Sequence, residues 1–273
     1  MSLIQTFVPS YRNSDSICGQ IIEHAIGRAG EAGHTIVKQT YASAMVDVAR
    51  NKCLIHVSDQ CEFILFIDDD MKPEPQAINK IVALNRPIAS ALCTSRTEPV
   101  QLALKKWDRV KEEFSNWDDY APTSVIEGDY ATGAAFLCVR MDAMRELVGY
   151  HLVAQDWLDW NRKLLDRLHV RKENREQERA RKEALRRKNY EQQGLLRVFE
   201  TEVHDGSDKR LGEDLIFCWR ALQLGIPITV DPTIRVGHTG QRDYYVEDYM
   251  PPNHFKQFEN LSTKELGLEE LTA

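Results

Sequence analysis

The chain has 273 residues, 42% apolar and 28% charged, which suits one large α/β domain or two small ones. A net charge of −7 excludes a generic polyanion binder, and no stretch approaches the roughly 18 uninterrupted apolar residues that a membrane span needs. The opening Met1-Ser2-Leu3-Ile4-Gln5-Thr6 has no basic segment leading into an apolar run, so no secretory signal is expected. Six cysteines stand at 18, 53, 61, 93, 138 and 218, none in a CxxC pair. They read as reduced, small core residues of an intracellular, cytoplasmic protein.

In chain order, Ile4 to Pro9 predicts a first strand, ending in the turn Pro9-Ser10-Tyr11-Arg12. Ser14 or Asp15 caps a helix whose shared apolar face is Ile17, Ile21, Ala25 and Ile26, and Gly30 and Gly33 end it. His34 to Thr40 predicts a second strand and Tyr41 to Ser58 a second helix, with Met45, Val48, Ala49 and Cys53 on its stripe and Arg50 and Asn51 beside it. Then comes Phe63-Ile64-Leu65-Phe66-Ile67, a continuous apolar run that predicts a strand buried on both faces. It runs straight into Asp68-Asp69-Asp70, and Pro73 and Pro75 interrupt the chain before a third helix over Ala77 to Leu84. Ile88 to Cys93 is a further strand. Strands alternating with helices predict right-handed βαβ units on a mostly parallel sheet. Ligands of such sheets bind beyond the carboxyl ends of the strands, where these three aspartates fall. If the strand continues, Asp68 and Asp70 point the same way and share a divalent cation; the plain alternative is a solvated acidic turn.

After Thr94 the rhythm changes. Leu102 to Trp107 reads as an edge strand, and Thr123 to Ile126 and Ala134 to Arg140 as two more, with Gly133 marking a close backbone approach. Between Arg162 and Lys188 there are 12 Lys and Arg against 5 Asp and Glu, without Gly or Pro. This predicts a charged helical arm of roughly 40 Å. Its plain reading is a solvated arm or oligomer contact; its functional reading is a surface for an anionic partner such as nucleic acid. Leu211-Gly212-Glu213-Asp214 opens a mostly apolar helix closed by Gly225, its two carboxylates matching the helix dipole. Ile228 to Val230 and Ile234 to Val236 are short strands, and Gly237-His238-Thr239-Gly240 is expected as a flexible loop. The expected division is an α/β core over 1–150, a basic helical insertion over 151–195, and 196–273 completing the same domain.

Asp68 with Asp70, Glu213 with Asp214, and His238 thus fall at element ends. A lone histidine is usually an ordinary surface or core residue, but carboxylates plus one imidazole suit Mn²⁺ or Mg²⁺ with positions open for phosphate oxygens. Such an ion would neutralise a diphosphate leaving group. Glu213 or Asp214 would take a proton from an incoming hydroxyl, its ionised form favoured near a helix N-terminus.

The ordered set resembles a GT-A fold glycosyltransferase of the family 2 type, a Rossmann-like α/β fold with a DXD motif. The matching residues are Val8-Pro9-Ser10-Tyr11, Ala49-Arg50-Asn51, Phe66-Ile67-Asp68-Asp69-Asp70-Met71 with Pro73 and Pro75, Thr132-Gly133-Ala134-Ala135-Phe136, Gly212-Glu213-Asp214 with Arg220 and Gly225, and His238. The resemblance covers residues 3 to 150 and 200 to 240. It implies that Pro9, Ser10 and Tyr11 cradle the base of a nucleotide-diphosphate sugar, with Arg50, Asp68 and Asp69 also at the nucleotide. Gly133 would line the acceptor side of the donor sugar. Asp70 and His238 would ligate Mn²⁺ or Mg²⁺, with Asp68 reaching the metal or the ribose, and Asp214 fits the base better than Glu213. Val37-Lys38-Gln39-Thr40 stands where an acidic residue usually follows strand two. The expected function is a metal-dependent hexosyltransferase, UDP-sugar favoured, working with inversion on an acceptor hydroxyl. Alternatives are a DNA- or RNA-modifying sugar transferase that holds nucleic acid on the arm, a metal-dependent nucleotidyltransferase, and a non-catalytic scaffold whose arm binds a partner; an oligomer is compatible with all four.

Overall fold

The computed structural model describes residues 1–10, 17–42, 45–96, 98–148, 198–199, 202–203, 210–240 and 242–251. Tyr11, the cap residues Ser14 and Asp15, the basic arm over 151–195 and the tail beyond 251 lie outside them. The elements run β1 (Leu3–Ser10), α1 (Ile17–Glu31), β2 (Thr35–Ala42), α2 (Val46–Ile55), β3 (Phe63–Ile67), β4 (Met71–Pro73), α3 (Ala77–Ala83) and β5 (Ile88–Ala91). Then follow β6 (Leu104–Asp108), β7 (Glu113–Asn116), β8 (Ile126–Gly128), β9 (Tyr130–Thr132), β10 (Phe136–Arg140) and a helix α4 over 141–148. Last come β11 (Glu202–Val203), β12 (Arg210–Leu211), α5 (Glu213–Gln223), β13 (Ile228–Asp231), β14 (Val236–Thr239) and β15 (Asp243–Tyr244).

Among the described residues, seven strands form the central sheet in the order β2-β1-β3-β10-β5-β13-β8. Five of them point the same way; β10 and β8 are inverted. The architecture is therefore the mixed α/β, mostly parallel, Rossmann-like sheet with flanking helices that the alternation predicts. Every residue of β3 is buried. Ile64 and Phe66 join one apolar cluster, and Phe63, Leu65 and Ile67 join the other, on the opposite face. That is the period of two expected of a strand covered on both sides.

Several local expectations are corrected. The second helix does not start at Tyr41. Thr40 and Tyr41, both strand-favouring, extend β2 and pair with Val8 and Pro9, and the helix begins at Val46. In α1 the buried stripe is Cys18, Ile22, Ala25 and Ala29, at the i, i+4, i+7, i+11 spacing, while Ile17 is 69% exposed. The strand at Thr123 to Ile126 forms later, as β8 and β9 on either side of Asp129.

The inverted strand β10 positions much of the site. Its first residue, Phe136, stands opposite the last residue of β3, Ile67. The Gly133–Ala135 segment that feeds it therefore lies at the carboxyl edge of the sheet, where the Asp68 backbone N–H donates to the Ala135 carbonyl at 2.9 Å. Two smaller sheets, β15-β14-β4 and β7-β6-β9, flank this edge.

Candidate active site

The aspartate triplet does not continue the strand. β3 stops at Ile67, residues 68–70 turn, and the three side chains separate. Asp68 turns toward α2, where Arg50 Nη2 donates to both its carboxylate oxygens at 2.7 and 3.0 Å. Arg50 Nη1 donates to Glu213 Oε1 at 2.8 Å. One guanidinium thus joins the end of the central strand to the start of α5. Its side chain is only 3% exposed. Burial pulls the Arg50 pKa down, but the charges of Asp68 and Glu213 outweigh it and hold the guanidinium above its ordinary value. Burial raises the Asp68 carboxyl, and Arg50 holds part of that rise back. Arg50, which the resemblance places at the nucleotide, is here the clamp between two carboxylates.

Asp70 turns the other way. Its Oδ2 accepts from Arg96 Nη1 at 2.7 Å and lies 3.3 Å from His238 Nε2. His238 stands opposite Met71 in the β4–β14 pair, and the Thr239 N–H donates to the Asp70 carbonyl at 3.0 Å. The residues around His238 are therefore strand, not the flexible loop expected from the two glycines. Those glycines permit close approach instead. A Cβ on Gly237 would fall 2.6 Å from the Tyr245 ring, and one on Gly240 would fall 2.4 Å from the Arg96 carbonyl oxygen.

The tautomer of His238 follows from its second contact. Nδ1 lies 2.7 Å from the Thr94 carbonyl, which only accepts, so Nδ1 carries a proton. In the neutral ring Nε2 then turns a lone pair toward the Asp70 carboxylate. Two acceptors facing each other need a cation between them, either a proton on the ring or a metal ion. Burial lowers the His238 pKa, but the bonds to Asp70 and Thr94 and the Asp70 charge outweigh it, and the ring sits above its ordinary value. Burial raises Asp70, and the contact and charge of His238, with Arg96, more than offset it, so Asp70 sits below its ordinary value. The pair fits a divalent cation as two of its ligands. Among the described residues no three His, Cys, Asp or Glu side chains gather to hold a metal by themselves. Substrate oxygens and water would complete the set, as is usual for Mg²⁺.

Asp214 stands in the first turn of α5, after Gly212 at the N-cap. The Leu215 N–H donates to its Oδ1 at 2.8 Å. A Cβ on Gly133 would lie 3.7 Å from Asp214 Oδ2, so that glycine leaves the carboxylate uncovered on one side. Burial, then the neighbouring Glu213 charge, raise Asp214 to about 6, against the pull of Arg50 and of its backbone bonds. The helix terminus alone predicts a carboxylate well below this, so desolvation wins here.

A cavity of about 780 Å³ collects most of these groups. Arg50, Asp68, Gly133, Glu213, Asp214 and His238 all line it, from segments more than 180 residues apart in sequence. Pro9, Asp69 and Asp70 do not line it; Pro9 is the last residue but one of β1, opposite Tyr41, Asp69 sits in the turn after β3, and Asp70 faces His238. The lining also includes Thr94, Lys105, Asn116, Trp117 and Tyr249, which sequence reasoning missed. Only Lys105 carried any signal, as a charged position on an expected edge strand. The motif residue Asn51 is structural. It exchanges hydrogen bonds with both backbone groups of Phe199, whose ring stacks on Phe217 with centroids 4.7 Å apart.

No family model matches the sequence, and no curated protein matches it. Among solved structures the chain is similar to a 4-diphosphocytidyl-2C-methyl-D-erythritol synthase from Anaerococcus prevotii (9% identity, TM-score 0.34, 54% of this chain and 74% of that one). It is similar to a glycosyltransferase involved in glycosylation of the major capsid of PBCV-1 (12% identity, TM-score 0.31), covering 53% of this chain and 64%, less than two thirds, of that one. A third is a CMP:2-keto-3-deoxy-manno-octonic acid synthetase solved with CTP (10% identity, TM-score 0.30, 84% and 89%). At these values the likenesses carry no argument about activity, and the fold assignment rests on the strand order and packing given above.

Proposed function

We propose that the chain is a sugar transferase that moves a glycosyl group from a nucleotide-diphosphate donor, UDP-sugar favoured, to an acceptor hydroxyl with inversion. The observation that carries this reading is Asp214: a carboxylate raised to about 6, open to a cavity that also holds Asp68 and His238. A general base works best with a pKa near the working pH, and this one is mostly ionised at pH 7 yet a better proton acceptor than a free aspartate. Asp214 takes the proton of the acceptor hydroxyl. That oxygen bonds to the anomeric carbon as the bond from carbon to the diphosphate oxygen breaks, and the nucleoside diphosphate leaves with the electron pair. A Mn²⁺ or Mg²⁺ held by Asp70 and His238 would, when bound, neutralise the leaving diphosphate. Arg50 keeps Glu213 and Asp68 in place, so that the start of α5 and the end of β3 keep their spacing.

The test is a thermal-shift panel of nucleotide sugars with and without Mn²⁺, followed by transfer and hydrolysis assays on the best binder. Ligands that bind only the native state raise its melting point by mass action. The expected result is a Mn²⁺-dependent shift with one donor, and turnover that Asp214→Asn removes. A panel with no shift, or turnover that survives Asp214→Asn, refutes the reading.

A further inference from the structure

Beyond Asp214 the cavity continues between two walls. One comes from β6, β7 and the residue after β7: Lys105, Asn116 and Trp117. The other is the segment from Asp248 to Pro251. Tyr249 ties them together, its hydroxyl donating to the Trp117 carbonyl at 3.2 Å. Three cationic or potentially cationic side chains line the cavity. Arg50 sits on Asp68 and Glu213, and His238 on Asp70. Lys105 is different: among the described residues no carboxylate oxygen lies within 4.0 Å of its ammonium, which donates to the Asn116 side-chain carbonyl. A half-buried ammonium facing a cavity with only a neutral partner is a place for an anion. Trp117 also lines this wall, but its ring lies under Lys106, whose Nζ stands 4.5 Å from the ring centroid, and its indole N–H donates to the Tyr120 carbonyl at 2.8 Å. An ammonium and an amide on one wall of the cavity that Asp214 also lines suit an acceptor that carries a negative charge.

Building on the transfer reading, we propose that the acceptor is an anionic saccharide, its carboxylate or phosphate bound by Lys105, with the reacting hydroxyl toward Asp214. Burial lowers the Lys105 pKa while the Asp214 charge opposes the fall. A bound anion would favour the charged ammonium further.

The experiment titrates the full chain with matched saccharides, one neutral, one a uronate and one a sugar phosphate, and reads binding by calorimetry. The uronate or the phosphate should bind about 10- to 100-fold more tightly than the neutral sugar, the range of a hydrogen bond between charged groups; which of the two wins identifies the anion. Lys105→Met should erase that preference and Lys105→Arg should restore much of it. Equal binding of neutral and anionic sugars by the unaltered chain overturns the proposal. A matching loss of UDP binding in Lys105→Met would assign the charge to the leaving group and overturn it as well. Because binding is read without turnover, the two readings fail separately. Charge-selective binding with no transfer refutes the transfer reading alone, and transfer without charge selectivity refutes this inference alone.

Discussion

Asp70 and Asp214 are both aspartates at element ends, Asp214 lining the cavity and Asp70 facing His238, which lines it, and their surroundings push them in opposite directions. Asp70 faces Arg96 and His238 and sits below its ordinary value. Asp214 faces Glu213 across a desolvated helix start and rises to about 6. Identical side chains thus acquire distinct roles. One stays an anion that holds cations, and the other exchanges a proton near neutral pH. The difference is set by what the fold delivers. The β4–β14 pairing delivers an imidazole to Asp70, whereas α5 delivers a second carboxylate to Asp214.

The largest effect should come from Asp214→Asn. Removing a positioned base lowers kcat by about 10²- to 10⁴-fold. In the unaltered chain kcat/KM should fall about tenfold per pH unit below about 6 and level off above it. Stability should move the other way. A carboxyl raised from 3.8 to about 6 binds its proton more tightly in the folded state, so stability falls as pH rises through that window. Asn carries no charge and keeps an oxygen for the Leu215 N–H. It should therefore raise the folding stability at pH 7, by on the order of 3 kcal/mol at most and less to the extent that solvent enters the cleft, which a higher melting temperature reads. A variant that loses activity without gaining stability would remove desolvation as the source of the contrast.

Arg50→Met ranks next. It leaves the Asp68 and Glu213 carboxylates without their shared cation, and breaking a buried pair from one side costs about 3 to 5 kcal/mol. Because Arg50 also pulls Asp214 down, the variant should move the acid limb of any residual activity above about 6. Chemical denaturation and a pH–rate profile check both parts. An unmoved limb would mean that Arg50 acts only on stability.

Much of this was legible in the sequence, for definite reasons. The apolar run from Phe63 to Ile67 has no polar residue to place on a solvent face, so it could only be central. The acidic triplet after it, and the pair Glu213-Asp214 opening an apolar helix, announced element ends carrying charge. The meeting of Asp70 with His238 was expected; what escaped was the pairing that Arg50 makes across sequence distance. Nothing local distinguishes Arg50 from a surface arginine on an amphipathic helix, yet residues 68 and 213 meet on it. The shared direction expected of Asp68 and Asp70 depended on a strand that stops at Ile67. His238 read as a loop residue because two glycines flank it, whereas those glycines serve packing against Tyr245 and the Arg96 backbone. Lys105, Trp117 and Tyr249 carry no motif and become neighbours only when β6, β7 and the residues after β15 converge.

That packing gives a third, smaller effect. A methyl group at Gly240 would overlap the Arg96 carbonyl oxygen, a backbone atom that cannot rotate away. Gly240→Ala should cost about 1 to 3 kcal/mol, in the range of overpacking. It should also draw Arg96 off Asp70, raising the Asp70 pKa without touching Asp214. A melting curve and an unchanged acid limb of the rate profile test this. If the acid limb shifts instead, the two carboxylates are coupled and not separately set.

The mildest effect is the competition between a proton and a cation at His238. The ring is above its ordinary value because Asp70 faces it, so a proton there contributes stability below the unfolded value of about 6.5 and that contribution is lost as pH rises through the folded value. A divalent cation needs the neutral ring, so its binding should strengthen as the proton leaves. Without metal, the His238 contribution to melting temperature should therefore fall from pH 6 to pH 8. The extra stabilisation by Mn²⁺ should rise over the same range, by up to about 1.4 kcal/mol per pH unit below the ring's pKa. His238→Gln should flatten both trends. A Mn²⁺ effect equal at pH 6 and pH 8, or one that survives His238→Gln, would separate the ion from the Asp70–His238 pair and leave that pair a proton-held contact.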